Sequence, residues 1–482
     1  KDDPKLKKGK YFDVGKLRQD MQYLQEQTAN LGYAYATVEP VINKDEANGI
    51  VNIQYNITPG SKVTINDVLI SGNTETKDSV IRRYIYLAPG DTYSQTDLKD
   101  SKNAIGRTGF FEKYDLTPQK LDDNSMNLLV NVKEAPTGSF AIGGGYSSYE
   151  GAMLEASVSD RNLFGTGISA SIGADLSKIS TDFNLQFTNP RVWDSLYSVS
   201  LDVHKKKYDY TDYSLDQTGA SLTVGREFMR NFYASAGIAY ADNQSKVLKA
   251  LDPADPYAHF YDDKYQKLSG VAGIKFDNTD DYYVPRSGFI LSLNGEIAQL
   301  DGTPNATASS TPYNYTDFSD FVKLNAKLGA YYGLQDLIDY DLILRYKARG
   351  SWLNSNGYLP AAERLYLGGV GSVRGYDSWS ISPEVTGVGK VGGTWTFSNT
   401  VEASIPISEE AKIRLAFFAD WGIIGSDDYY NQSFSNESRS SAGASLEWFS
   451  PFGPINFIFS KAINPEAGDK TSSFEFTMGT KF

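Results

Sequence analysis

Arg374 lies in the run Leu367-Gly-Gly-Val-Gly-Ser-Val-Arg-Gly-Tyr376, flanked by small residues and an aromatic ring. A planar guanidinium on so pliant a stretch can approach a protein wall closely and take a carboxylate through two parallel bonds. Two carboxylates stand at suitable places. In Arg414-Leu-Ala-Phe-Phe-Ala-Asp-Trp-Gly422, alternation puts Leu415, Phe417, Ala419 and Trp421 on one face of a strand and Asp420 on the other. In Thr394-Trp-Thr-Phe-Ser-Asn-Thr-Val-Glu-Ala-Ser404, Trp395, Phe397, Val401 and Ala403 share a face and Glu402 takes the opposite one. An arginine simply exposed on a glycine-rich loop is the competing reading.

Other chemistries are poorly supplied. The 482 residues contain no cysteine and two histidines, His204 and His259, which removes thiol nucleophiles and cysteine-bound zinc and leaves little for imidazole catalysis. A barrel phospholipase needs a serine in partnership with histidine, and no serine motif stands beside either one, so an enzyme is not expected. His204, followed by Lys205-Lys206-Lys207, reads as a cation patch. No nucleotide-binding loop is visible, and no metal or cofactor is expected. A net charge of -13 argues against nucleic acid as a partner, because phosphates call for a basic surface.

The elements that must position Arg374 and its carboxylates follow from the patterning. No run approaches the roughly 18 apolar residues of a membrane-crossing helix, so any spanning must use strands. The start, KDDPKLKKGK, has no signal-peptide pattern. Near Pro136 the character changes from alternating helix and strand patterns to segments rich in Tyr, Gly, Ser and Asn. The part before Pro136 repeats itself: Gly9 aligns with Gly90, Leu17 with Leu98, and Gly32-Tyr33 with Gly109-Phe110. Each copy has an amphipathic helix (Leu17, Met21, Leu24 and Leu31; then Leu98, Ser101 and Ile105) followed by two alternating strands. The second copy also has a leading strand, Val63 to Val68, and a short helix through Val80-Ile81. The first copy lacks these, which predicts a longer natural protein with a partial repeat at 1–59, a complete one at 60–136, and the remainder at 137–482.

Beyond Pro136 the period is two, in about sixteen stretches of about ten residues, such as Leu196-Tyr-Ser-Val-Ser-Leu-Asp-Val. Short connections such as Asn189-Pro190 alternate with long polar ones such as 246–264 and 301–313. A soluble β-sandwich also alternates. Against it stand the aromatic supply at strand ends, the lack of helix patterns, and the terminal Phe474-Glu-Phe-Thr-Met-Gly-Thr-Lys-Phe482, with Phe474, Phe476, Met478 and Phe482 on one face. Apolar outside and polar inside is the pattern of a transmembrane β-barrel. In that frame Asp420 and Glu402 face the lumen, and the long connection at about 354–393 carries Arg374. Gly143-Gly144-Gly145 in the first strand and Gly479 in the last weaken pairing, which predicts a lateral seam between those strands. Simple bends in the wall are the alternative.

The chain resembles the BamA family of outer-membrane protein assembly factors, built from periplasmic POTRA repeats and a sixteen-stranded barrel. Ile70-Ser-Gly-Asn-Thr74 with Gly109-Phe-Phe-Glu112 is similar to the last POTRA repeat, and Val373-Arg-Gly-Tyr376 to the family's loop-six motif. Gly138-Ser-Phe140, Asn162-Leu-Phe-Gly-Thr-Gly167 and the segment ending in Phe482 resemble the barrel's start and its terminal signal. The resemblance implies an α+β repeat region followed by an all-β barrel in the outer membrane of a Gram-negative-type bacterium, with the repeats in the periplasm. It implies loop six tucked inside the barrel, with Arg374 on the Asp420 and Glu402 wall. It also implies unfolded outer-membrane proteins as clients, accessory BamD-like lipoproteins on the repeats, the lipid bilayer as surroundings, and insertion without ATP. A protein-secretion pore of the two-partner or TamA-like type is the alternative.

Overall fold

The computed structural model describes residues 4–147, 151–210, 213–229, 231–248, 263–281, 284–304, 317–385, 389–427, 434–450, 453–466 and 468–478. The chain divides into two units, Lys1–Ser139 with Asp160–Ser169, and Phe140–Ser159 with Ala170–Phe482.

In the first unit, helix α1 (Val14–Asn30) is capped by Asp13, which accepts the Lys16 N–H at 3.0 Å. Strands β1 (Thr37–Asp45) and β2 (Ile50–Thr58) form an antiparallel hairpin after it. The buried face of α1 is not the stripe expected from its leucines. Leu17 and Ala29 are buried, whereas Leu31 is the exposed C-cap residue. Asp20 takes a place on the inner face, accepting from the Leu6 amide at 3.0 Å and the Tyr55 hydroxyl at 3.2 Å. The next element group is β3 (Thr64–Ser71), α2 (Asp78–Arg82), α3 (Gln95–Thr108), β4 (Phe111–Lys120) and β5 (Ser125–Glu134). Its sheet order is β3-β5-β4, with β3 parallel and β4 antiparallel to β5. Helix α3 begins on a Ser94 cap and ends at Gly109, whose φ of +66° suits a residue without a Cβ. Its inner face, Leu98 and Ile105, packs on Ile65, Leu128 and Val130. The segment 160–169 belongs to this unit: Asn162 Nδ2 donates to Thr76 Oγ1 at 2.8 Å, and Thr76 donates to Glu134 at 2.9 Å.

The second unit is a sixteen-stranded sheet. Its strands are β6 (Gly138–Ser147), β7 (Gly151–Asp160), β8 (Ser169–Leu176), β9 (Ser180–Asn189), β10 (Tyr197–Asp209), β11 (Tyr213–Met229), β12 (Phe232–Val247), β13 (Lys264–Asp277), β14 (Ser287–Thr303), β15 (Phe321–Gly333) and β16 (Ile343–Ser355). After β17 (Glu384–Val385) and β18 (Gly389–Lys390), two-residue strands that pair with each other in a separate sheet, it continues with β19 (Trp395–Ser408), β20 (Ile413–Gly425), β21 (Glu437–Ser450), β22 (Gly453–Ala462) and β23 (Phe474–Met478). Every strand neighbours its sequence neighbour, with β16 beside β19, so β6 and β23 end the order. At the end where the chain leaves the repeats the connections are short. At the other end they lengthen from β12 onward: 248–263, 304–320, 356–394, 426–436 and 463–473. The 356–394 connection is loop six.

Alternation sets the two faces. On β20, Arg414, Ala416, Phe418 and Asp420 are buried while Phe417 and Trp421 are exposed. One departure from the helix-free reading is α4 (Gln335–Ile338), a single turn in the β15–β16 connection, ended by Asp339 at φ +55°. The sheet curls around loop six, because that loop is touched from many strands of one face. Glu363 takes bonds from β13 and β15, Arg374 reaches β19 and β20, and Gly375 reaches β23.

Candidate functional site

Loop six is fastened to the inner wall by Arg374. Its Nε and Nη2 donate to Asp420 Oδ2 and Oδ1, both at 2.8 Å, and its own backbone N–H donates to Oδ2 at 3.0 Å. Nη1 lies 3.0 Å from Glu402 Oε1, and the guanidinium carbon sits 3.4 Å from the centre of the Phe418 ring. Parity assembles this site: Phe418 and Asp420 are two apart on β20, and Thr400, opposite Asp420 on β19, donates to its Oδ1 at 2.8 Å. Glu402 is also 3.1 Å from Lys347 Nζ and 3.6 Å from Arg345 Nη1 on β16, and Arg345 forks onto Glu447 of β21 at 2.7 and 3.0 Å. The contacts run Asp420–Arg374–Glu402–Arg345–Glu447, so each carboxylate of this wall faces a cation, and the loop's Arg374 supplies the charge that Asp420 would otherwise lack.

The motif residues around Arg374 have separate tasks. Val373 is fully buried with Leu367, Ile381 and Ile424. It lies over Gly422, where an added Cβ would come within 2.6 Å of Val373 Cγ2. Gly375 adopts φ +86°, which turns the chain toward the end of the barrel sequence. From there loop six runs beside the approach to the last strand. Ser472 N–H donates to Gly375 O at 3.1 Å, Asp377 N–H to Lys470 O at 2.9 Å, and Tyr376 bridges Thr471. Gly375 N–H donates to Glu475 Oε2 on β23 at 3.3 Å, and the Tyr376 hydroxyl to Ser440 O at 3.3 Å.

Of the seam residues, Phe476 pairs with Phe457 and Met478 with Ile455 in the β22–β23 ladder. Gly143, Gly144 and Gly145 lie within β6. A Cβ added at Gly143 or Gly144 would meet nothing closer than 3.6 Å, so close packing does not demand glycine at either. Gly479 and Phe482 lie outside the described residues. His204 is held by Asp202 Oδ1 at 2.7 Å on the inner face of β10.

Two anchors escaped the sequence reading. Glu363 of loop six accepts from Tyr265 at 3.0 Å and pairs with Lys267 at 3.1 Å and Lys323 at 3.4 Å, on β13 and β15. Arg439 of β21 holds Asp469 at 2.6 Å and Glu466 at 3.0 Å in the β22–β23 connection, and Glu437 at 3.2 Å. Charged residues at inward positions were the available signal; which strand each faced depended on the curl of the sheet.

The Omp85 superfamily domain model matches residues 162–482, and the POTRA model, described as surface antigen variable number repeat, matches 4–60 and 63–135. The outer membrane protein assembly factor BamA of Nitratidesulfovibrio vulgaris is 29% identical, over 100% of this chain and 59% of its own length. The chain thus spans about three fifths of the length of the curated relatives it matches. The crystal structure of BamA from Haemophilus ducreyi lacking POTRA domains 1–3 superposes with a TM-score of 0.70 at 23% identity, covering 98% of this chain and 95% of that one. CdiB from Acinetobacter baumannii gives 0.59 at 13% identity, over 98% and 83%. Both structures share the fold.

Proposed function

The chain belongs to the Omp85 superfamily, and we propose that it is the repeat-and-barrel part of an assembly factor that folds and inserts other β-barrels. It is an outer-membrane protein with its POTRA repeats toward the periplasm. The observation that carries the reading is the attachment of the loop-six motif to the last strand through Gly375 and Glu475. A lock that sits on one end strand of the sheet can bias whether the β6 and β23 edges stay together or part.

An edge strand presents unpaired N–H and C=O groups, and an extended client can add to it through main-chain bonds. The same chemistry is offered in the repeats, where β3 and β4 are edges of their sheet. Gly143 and Gly144 fit a seam that opens, since glycine withholds side-chain packing from the ladder. Client folding supplies the free energy in this scheme, without nucleotide or covalent chemistry. Clients are unfolded outer-membrane proteins, and accessory lipoproteins dock on the repeats.

The test is complementation. The intact gene, placed in cells depleted of their own assembly factor, restores the amount of heat-modifiable barrels in the outer membrane. Restored export of one secreted partner without restored barrel levels would instead favour a secretion pore.

A further inference from the structure

We propose that Arg226, on the lipid-facing side of β11, binds the phosphate of a phospholipid in the leaflet on the periplasmic side. Along β11 the outward series is Asp216, Thr218, Ala220, Leu222, Val224, Arg226 and Phe228. Leu222 and Val224 are 43% and 44% exposed, as residues facing lipid are in the protein alone. Ten residues separate Asp216 from Arg226. At about 3.3 Å per residue and a tilt near 40°, that is about 25 Å along the membrane normal, the usual height of the apolar band. Lys205 and Asp242, opposite Thr218 on the flanking strands, also carry charge on this face, so the far edge lies at 216–218 and Arg226 marks the near one. Arg226 marks the edge at which the chain leaves the repeats, since β10 starts and β11 ends there.

Its surroundings are built for an anion. Tyr197, directly opposite on β10, has its ring 5.0 Å from the guanidinium carbon and its hydroxyl 3.0 Å from Nη1, and the Phe228 ring lies 5.1 Å away. The guanidinium is thereby fixed among aromatics with most of its five donors uncommitted. Arg226 Nε is buried without a hydrogen-bond partner. The adjacent carboxylate, Glu227, falls on the other face, where it accepts the Asn231 amide at 3.4 Å. Among the described residues no carboxylate pairs with Arg226, in contrast to the lumen, where Arg345, Arg374, Arg414 and Arg439 all have acidic partners. A cation at the boundary of hydrocarbon draws its counter-charge from what surrounds it, and at that depth the surrounding anions are lipid phosphates. Trp193, 94% exposed in the connection just before β10, suits the same interface. The proposal stands on the barrel alone and is independent of its cargo.

The test uses the full chain, delipidated in a non-ionic detergent and titrated with dioleoyl phosphatidylglycerol, with retained lipid counted by native mass spectrometry. Arg226→Gln should weaken the tightest lipid-binding step about tenfold, the loss of a charge-assisted contact. Arg226→Lys should retain part of it, and Tyr197→Phe should fall between wild type and Gln. Dioleoylglycerol, which lacks the phosphate, should not be retained, and inorganic phosphate should not displace the lipid. An unchanged first binding step in heat-modifiable Arg226→Gln protein overturns the proposal, as does equal retention of dioleoylglycerol. Displacement by inorganic phosphate would assign the site to a free anion and overturn the lipid.

Discussion

The backbone amide of Gly375 in loop six donates to the carboxylate of Glu475 on the last strand, at 3.3 Å. Arg374, one residue earlier, is forked onto Asp420 of β20. Adjacent residues of one loop therefore hold a strand inside the wall and the strand at its end, and loosening the first contact reaches the second through a single peptide unit.

Arg374→Ala leaves Asp420 and Glu402 buried with less counter-charge, a loss of about 3–5 kcal/mol for a broken buried pair. The unboiled, fast-migrating form on a gel should convert at lower temperature than wild type. A charge swap, Arg374→Asp with Asp420→Arg, should recover part of what each single change loses. Harmless single variants with no coupling between them would return Arg374 to an exposed loop residue.

Gly422→Ala tests the same seat without touching a charge. Its Cβ would come within 2.6 Å of Val373 Cγ2 and 3.2 Å of Leu367 Cδ1, so loop six must lift. Overpacking of this kind costs about 1–3 kcal/mol. Protease access within 367–381 should increase, and Gly422→Ala with Val373→Ala should reverse it.

Much of this was legible in the sequence. Alternation with polar turns gave the strands of the barrel and placed Asp420 and Glu402 on its inner face before any register was known. Helix α1 departs from its leucine stripe at two places for separate reasons: Asp20 is buried because it collects main-chain amides from the N-terminal segment, and Leu31 is exposed because it is the C-cap residue, past the last turn of the helix. The anchors at Glu363 and Arg439 were hidden for another reason. Lys267 and Glu363 are 96 residues apart, and only the curl of the sheet brings them together. The pairing of Gly375 with Glu475 likewise joins residues 100 apart.

Glu363→Gln probes the far end of loop six. It removes the charge facing Lys267 and Lys323 while keeping the side chain's shape, for a loss of roughly 1–3 kcal/mol. Hydrogen exchange should rise in 358–366 and leave 373–377 unchanged, because Arg374 anchors that part separately. Equal deprotection of both segments would make loop six one cooperative body.

In the repeats, burial pushes the Tyr93 phenol up to about 12 from its usual 10, with the nearby Tyr35 adding to the rise. A pKa raised by folding adds stability that is fully present below pH 10 and is lost as the pH climbs toward 12. The repeats should therefore lose protection against proteolysis across that window, and Tyr93→Phe should make the loss shallower. An identical alkaline profile in the variant would place the sensitivity elsewhere.

The central claim is that β6 and β23 part while a client is inserted, and a reversible cross-link measures it most directly. The chain has no cysteine, so one engineered pair, with one position in 140–144 and the other in 474–478, forms the sole possible disulfide; Gly144 with Met478 is the first to try. Once a pair is shown to be oxidised in a folded barrel, client insertion should stop, and it should resume on reduction. Full insertion by demonstrably cross-linked protein would contradict the account and leave Gly143, Gly144 and Gly145 as bends in a wall that stays shut.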